Sequence, residues 1–355
     1  MIQTDALVIG AGPVGLFQVF QLGLLEIKCH VIDALPYPGG QCIELYPDKP
    51  IYDIPGTPRT TGRELTASLL AQIKSFDAPL HLGQVVSQIE TQADGRFQVS
   101  TSTGEQFTTK VIIIAAGVGA FQPKRLKMDG LSKFENSQLF YHSKPASITD
   151  QQVLVVGGDD SALQCAFDLA AAGNAKSLTL LHRRDVYQAA PELLAKIHAL
   201  AGAKALKLMV GQVTGFDEQA GRLTAAQVTG VDGQIQAVPT DQLLVFSGLS
   251  PKLGPIADWG LVMERKQVAV DTEKFATNVP GIFAVGDINH YPGKKKLILS
   301  GFHECALAAF GAASIVYPGK NPQLEYTTSS TRLHRLLGVD GPNTGKDDID
   351  LSASH

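Results

Sequence analysis

The stretch that most limits what this chain can fold into is Gly10-Ala-Gly12-Pro-Val-Gly15. An apolar run, Ala6 to Ile9, leads into it, and a mostly apolar stretch follows to Leu25. A second apolar run, Cys29 to Ile32, then ends in Asp33. Strand, glycine turn, helix, strand and acid within about thirty residues describe a βαβ unit suited to a dinucleotide. Gly10 permits the tight turn, Gly12 lets the backbone approach a diphosphate, and Gly15 lets the helix pack close to the sheet. Pro13 and Val14 fall in the first helical turn, whose free N–H groups face the diphosphate. Asp33 can accept hydrogen bonds from both ribose hydroxyls. Its charge repels a 2′-phosphate, so FAD or NAD is expected here rather than NADP.

The pattern recurs from Val153. Gly157 falls where Gly10 does, Asp159 where Gly12 does, and Ala162 where Gly15 does, with Ser161 beside it. Alanine is tolerated at the third position. Asp159 is the departure, because it adds a side chain and a negative charge where backbone should meet phosphate. The second strand, Ser177 to Leu181, runs into His182-Arg183-Arg184, where a ribose-selecting acid would otherwise stand. Paired guanidinium donors suit a 2′-phosphate; a solvated basic turn is the other reading. The favoured expectation is an NADP site with a weakened diphosphate contact, Asp159 being accommodated with its carboxylate swung outward.

Composition narrows the rest. The 355 residues allow about two domains. A net charge of −4 argues against a nucleic-acid partner. Met1 to Asp5 carry no basic start and no apolar run approaches the ~20 residues of a membrane span, so a soluble cytoplasmic protein is expected. Cys29, Cys42, Cys165 and Cys305 form no Cys-x-x-Cys and read as buried free thiols. No metal-ligand cluster or nucleophile triad stands out, and no metal is expected. Leu65, Leu69, Leu70, Ile73 and Phe76 predict a helix over 63–76, and 97–103 and 106–109 predict strands around Gly104. Residues 110–117 read as a buried strand, and 123–150 as an irregular crossover.

With both units placed, the chain resembles the thioredoxin-reductase-like ferredoxin–NADP⁺ reductases over about residues 4–339. The resemblance rests on Gly10-x-Gly12-Pro-Val-Gly15-Leu-Phe17, Gly39-Gly-Gln41, Leu45-Tyr-Pro47, Ile51-Tyr-Asp-Ile54 and Ala116-Gly-x-Gly-Ala-Phe121. It continues in His182-Arg-Arg-Asp185, Gly286-Asp-Ile288, Ser300-Gly-Phe302 and Tyr326-Thr-Thr-Ser329. It implies an α/β fold of two Rossmann-like dinucleotide-binding domains of the three-layer type, the nucleotide domain inserted into the FAD domain. The expected boundaries are 1–118 and 283–338 for FAD, 119–282 for NADP, and 339–355 for a mobile tail. It further implies a homodimer with FAD in each subunit and Tyr46 stacked on one flavin face. Tyr326 should cover the other face and move aside for nicotinamide. Gln41, Val86, Phe121, Asp287 and Thr328 should join Asp33 in lining the FAD site.

The same resemblance implies hydride transfer from NADPH to flavin N5, then electrons passed singly to ferredoxin or flavodoxin. No side-chain acid or base is needed for that chemistry. True thioredoxin reductases carry Cys-x-x-Cys before the second fingerprint, and 139–152 has no cysteine. The fifth residue after Cys42 is Pro47, which rules out the disulfide of the glutathione-reductase branch. Gln188 replaces an arginine that often supports the 2′-phosphate. Lys294-Lys-Lys296, Arg332 and Arg335 read either as a rim for an acidic partner or as ordinary solvated charge. Two other functions stay open: an NAD(P)H-dependent flavin or quinone oxidoreductase, and a flavin-binding redox sensor whose nucleotide site has weakened.

Overall fold

Both faces of the first strand, Ile2–Ile9, are buried towards its C-terminal end. Leu7 and Ile9 belong to one apolar core, Ala6 and Val8 to another on the opposite face. A strand covered on both sides belongs in the middle of a largely parallel sheet. In the computed structural model, which describes residues 1–320 and 322–339, that is its place. It pairs in parallel with Cys29–Asp33 on one side and with Gln106–Ile114 on the other. Leu80–Leu82 extends the sheet beyond Cys29–Asp33. Ile282–Ala284 pairs in parallel with residues 112–114, beyond the point where an antiparallel ribbon, Val86–Thr91 with Phe97–Thr101, leaves the same strand.

Helices Pro13–Leu24, Gly62–Ile73 and Ile298–Val316 pack on one face of this sheet. Ile256, Leu261 and Val268 cover the other, giving three layers. Helix Gly62–Ile73 opens with a reciprocal cap between Thr61 and Glu64 and runs on as a 3₁₀ turn to Phe76, matching the predicted helix. Helix Ile298–Val316 is 19 residues long and apolar enough to cross a membrane by length and composition alone, contrary to the expectation that no run approaches a span. Its Cys305, Ala308, Ala309 and Ala312 are buried in the same core as the fingerprint helix, so here it serves as a core helix.

The second unit spans Phe121–Ser250. Its five-stranded sheet is parallel throughout, with Gln152–Gly157 in the centre, Ser177–His182 and Lys207–Val210 to one side, and Gln242–Phe246 and Leu139–Tyr141 to the other. Helices Asp160–Ala172 and Pro191–Gly202 pack on one face. An antiparallel sheet of Gln212–Gln219, Arg222–Thr229 and Ile235–Pro239 covers the other. In both units the strand order reverses beside the glycine turn, the place where open α/β sheets bind ligands.

The chain leaves the first unit after Ala120 and returns at Pro251. The return comes well before the expected boundary at 282/283. Ile256, Leu261 and Val268 account for the difference, since they are buried with Ile282 and Ala284 of the first unit. Residues 123–150 are less irregular than expected, contributing strand Leu139–Tyr141 and the buried pair Leu131 and Phe134. Beyond Val339 the tail expected to be mobile lies outside the described residues.

Gly15 shows how closely the first helix meets its turn. A Cβ built there would lie 1.8 Å from the Gly10 carbonyl oxygen. Gly15→Ala is therefore expected to destabilise the protein by about 3 kcal/mol, the upper part of the range for overpacking. Urea unfolding of the variant against wild type measures it.

Candidate functional site

The turn after the first strand uses its three glycines in different ways. Gly10 holds a left-handed φ of +113°, and a Cβ there would lie 2.4 Å from the Ala115 carbonyl oxygen. Gly15 is excluded from carrying a side chain by Gly10 itself. Gly12 differs: its φ of −71° suits any residue, and a Cβ would meet only Gly40 Cα, at 3.8 Å. Among the described residues, none crowds a Cβ at 12. In this fingerprint a glycine at that place leaves room for a diphosphate. The helix behind has Pro13 at its start, no side-chain cap and no acid in its first turn. Its leading N–H groups thus have no intrahelical acceptor and present positive charge to an anion.

Asp33 stands beside this turn. Its carboxylate accepts hydrogen bonds from Ala11 N–H at 2.5 Å and Leu35 N–H at 2.8 Å. Burial raises its pKa, while the two backbone N–H bonds pull it back. An ionised carboxylate has roughly four acceptor positions, so two remain for ribose hydroxyls. Val14 fills a notch between two glycines: Cβ atoms at Gly286 and Gly301 would lie 3.2 Å and 2.4 Å from its methyl groups. That contact sets the Gly286–Ile288 turn against the fingerprint helix. Asp287 there accepts a 3.2 Å hydrogen bond from Gln41 Nε2. Tyr46 is half-buried just after Gln41, with its hydroxyl 3.6 Å from the buried Cys42 Sγ. Gly10, Gly12, Pro13, Val14, Gly15, Asp33, Gln41, Tyr46 and Asp287 thus converge on one end of the first helix.

Val86 is 3% exposed and is buried in the same core as Ile9 and Ile32, the residues just before Gly10 and Asp33. Two expected residues stand apart from this group. Tyr326 is 66% exposed and Thr328 is exposed. Their segment precedes a short helix, Thr331–Leu336, whose Arg332 is bonded to Glu26, Glu325 and the Leu24 carbonyl. That anchor is at the C-terminal end of the fingerprint helix, about 18 Å from the glycine turn for twelve residues. Within one chain, Tyr326 does not join the site. For Phe121 the backbone alone is described, as part of strand Ala120–Pro123.

The second turn is built from different chemistry. Asp159 is the N-cap of helix Asp160–Ala172, and its Oδ1 accepts the Ala162 N–H at 3.0 Å. The carboxylate is therefore folded back onto its own helix and not swung outward as expected. Asp160 Oδ1 accepts Ala190 N–H at 2.8 Å. The Gly158 carbonyl accepts Gln188 N–H at 2.7 Å, so the loop after Arg184 returns to the turn through its backbone. A Cβ at Gly158 would lie 2.5 Å from the His182 ring, which explains that glycine by packing alone. Burial lowers the His182 pKa, helped by Arg183 and Arg184 and opposed by Asp159. Both arginines are exposed at the end of strand Ser177–His182, and Ser161 is exposed in the first helical turn. A Cβ at Gly157 would lie 2.6 Å from that of the buried Ala162, so those two residues fix how closely helix meets strand.

The docking-rim reading of the basic residues loses two members. Lys294 is not solvated: its side chain is 4% exposed and ion-paired with Glu304, which is fully buried. Arg332 is committed to the contacts above, leaving Lys295, Lys296 and Arg335 exposed. Sequence reasoning missed Glu304 and the inward turn of Lys294. The signal was a lone acid inside the apolar helix around Cys305, since an acid is almost never fully buried without a partner. All four cysteines are free and buried, as expected.

Residues 4–306 match the family model described as pyridine nucleotide-disulphide oxidoreductase. The chain is 64% identical to the ferredoxin–NADP reductase of a Polaromonas species, over 96% of this chain and 94% of that protein. It is 59% identical to ferredoxin–NADP reductase 2 of Cupriavidus taiwanensis, over 96% and 92%. Among solved structures, thioredoxin reductase from Lactococcus lactis superposes with a TM-score of 0.54 at 24% identity, covering 88% of this chain and 99% of that one. Bacillithiol disulfide reductase from Staphylococcus aureus gives 0.56 at 18%, covering 87% and 98%. These two share the two-dinucleotide fold. By identity across nearly its whole length, the chain belongs to the ferredoxin–NADP reductase family.

Proposed function

We propose that the protein is an FAD-dependent ferredoxin–NADP⁺ reductase that uses no redox disulfide. The observation that carries this reading is Gly12. It is a glycine that the protein's own packing does not require, placed over an uncapped helix start and beside Asp33. Bound there, FAD would supply two-electron acceptance from NADPH and one-electron release to an iron–sulfur or flavodoxin acceptor. The protein's own part is positional. The first helix start would face the diphosphate, Asp33 would take the ribose, Gln41 and Asp287 would hold the stretch between diphosphate and flavin, and Tyr46 would cover the ring. The buried cysteines leave an external acceptor as the outlet for electrons.

Tyr326 fits this reading in a homodimer. Anchored at the far end of its own fingerprint helix, it is free to cover the flavin of a second copy. The NADP side rests on Arg183 and Arg184, which would clamp the 2′-phosphate while Ser161 and the Asp160–Ala172 helix start meet the diphosphate. Asp159 opposes that contact twice, by occupying the Ala162 N–H and by its charge. At roughly 6–10 Å and an effective dielectric of about 20, the charge alone costs about 2 kcal/mol.

Purified protein is expected to be yellow, to release FAD on heating, and to bleach on anaerobic addition of NADPH. Colourless protein that FAD cannot reconstitute would contradict the flavin assignment; a flavin that stays oxidised would favour the redox-sensor reading. Acceptor assays separate ferredoxin from quinone reduction. Compared as apoproteins, Gly12→Val and wild type should differ by no more than about 1 kcal/mol, the cost of a branched residue at a helix N-cap, yet the variant should not bind FAD, as urea unfolding without cofactor and the visible spectrum after its addition report. Asp159→Gly should tighten NADPH and NADH by a similar factor of about thirty, the equivalent of that charge cost. It should lower helix stability by only a few tenths of a kcal/mol. Arg183→Ala with Arg184→Ala should weaken NADPH alone by at least about tenfold. Equal weakening of both nucleotides in titrations would remove the arginine pair from the 2′-phosphate.

A further inference from the structure

Glu304 lies on the helix Ile298–Val316, fully buried, and gathers four donors from one short segment of chain. Its Oε2 accepts the Gly286 backbone N–H at 2.6 Å and Asn289 Nδ2 at 2.8 Å. Its Oε1 accepts the Tyr291 hydroxyl at 3.0 Å and the Lys294 ammonium. Four donors match the four acceptor positions of a carboxylate, with Lys294 as its ion-pair partner. Burial, and then the Glu304 charge, push the Tyr291 hydroxyl up to about 12, so it remains a donor.

The first of those donors belongs to the turn that carries Asp287. Gly286 has a φ of +80°, a left-handed conformation that leaves its N–H pointing to Glu304. Gln267 Nε2 holds the same turn from its other side, through the Asp287 and Asn289 carbonyls at 3.2 Å and 2.6 Å. Asn289 Nδ2 also reaches back to the Ala284 carbonyl at 2.9 Å, closing the turn on the strand before it. Among the described residues the Asp287 carboxylate is left with one partner, Gln41. Neither Glu304 nor Lys294 reaches the Asp287 side chain.

We propose that Glu304 and Lys294 are positioning residues of the FAD site: the buried ion pair holds the Gly286–Asp287 turn at the height where Asp287 meets Gln41 and the cofactor. This rests on the FAD assignment of the site.

The test compares wild-type holoenzyme with Glu304→Gln, Lys294→Met and the double variant. Glu304→Gln replaces an acceptor with a donor facing Lys294; Lys294→Met strands a buried carboxylate. Each single variant is expected to weaken FAD binding by at least about tenfold, read from flavin fluorescence on release, and to shift the absorption bands of bound flavin. The double variant should bind FAD more tightly than either single one. In it, the amide oxygen introduced by Glu304→Gln can accept from Gly286 and Asn289 while the amide NH₂ donates to Tyr291. A merely structural pair would lower the melting temperature of all three and leave FAD affinity and spectrum as in wild type; that result overturns the proposal. Should the single variants not fold, Tyr291→Phe removes one donor only and is expected to weaken FAD about threefold or more, with Lys294→Arg restoring wild-type affinity. Unchanged affinity in Tyr291→Phe then overturns it. A wild type that takes up no FAD removes the site assignment and this proposal together; a yellow wild type with unaffected variants removes this proposal alone.

Discussion

The contact on which the first unit depends is that between Gly15 and the carbonyl of Gly10. Only with no side chain at 15 can the helix start directly at the edge of the sheet. That approach puts Val14 within reach of the notch at Gly286 and Gly301, and Gly12 against Gly40. The anion-facing helix start, the acid at the end of the second strand and the Asp287 turn then occupy one small region. Distances of this kind come from backbone meeting backbone, so they change little with the side chains around them.

The same supersecondary unit is used twice with opposite chemistry at the helix start. In the first copy the N–H groups are left free and no acid sits in the opening turn. In the second, an aspartate caps the helix and another follows it. A capped helix start is stable without a ligand, whereas an uncapped one gains more when an anion arrives. The first copy is thereby suited to a nucleotide that stays, and the second to one that comes and goes.

The fold was legible in the sequence because it follows from local pattern: two glycine turns, each between apolar runs, with an acid after one and arginines after the other. The close approach of the helix at Gly15 was legible for the same reason. The direction taken by the Asp159 carboxylate was not, because an aspartate at a helix start has two stable choices and only the neighbouring N–H decides. The partnership of Lys294 with Glu304 was hidden differently. Three consecutive lysines read as solvated charge, and nothing local tells which one turns inward to meet a carboxylate ten positions on. The Pro251–Val279 stretch was assigned to the wrong unit because it is short-stranded and irregular, and its allegiance lies in core contacts with distant residues. Tyr326 was expected at the flavin, but its exposed place in the chain depends on contacts far along the sequence that no local pattern shows.

The insertion of one unit inside the other has a consequence for how the chain reaches its native state. The sheet of the first unit lacks Ile282–Ala284 until the whole of Phe121–Ser250 has been made. Bringing that late strand to Gln106–Ile114 would close a very long loop if the intervening chain were unfolded. The second unit shortens the path, because its own two ends meet: Lys124 N–H donates to the Gly248 carbonyl at 3.0 Å. Once it folds, a long disordered loop becomes a short tether, and the entropy of closure falls accordingly. A substitution that slows folding of the second unit should therefore delay completion of the first, although it touches no residue there.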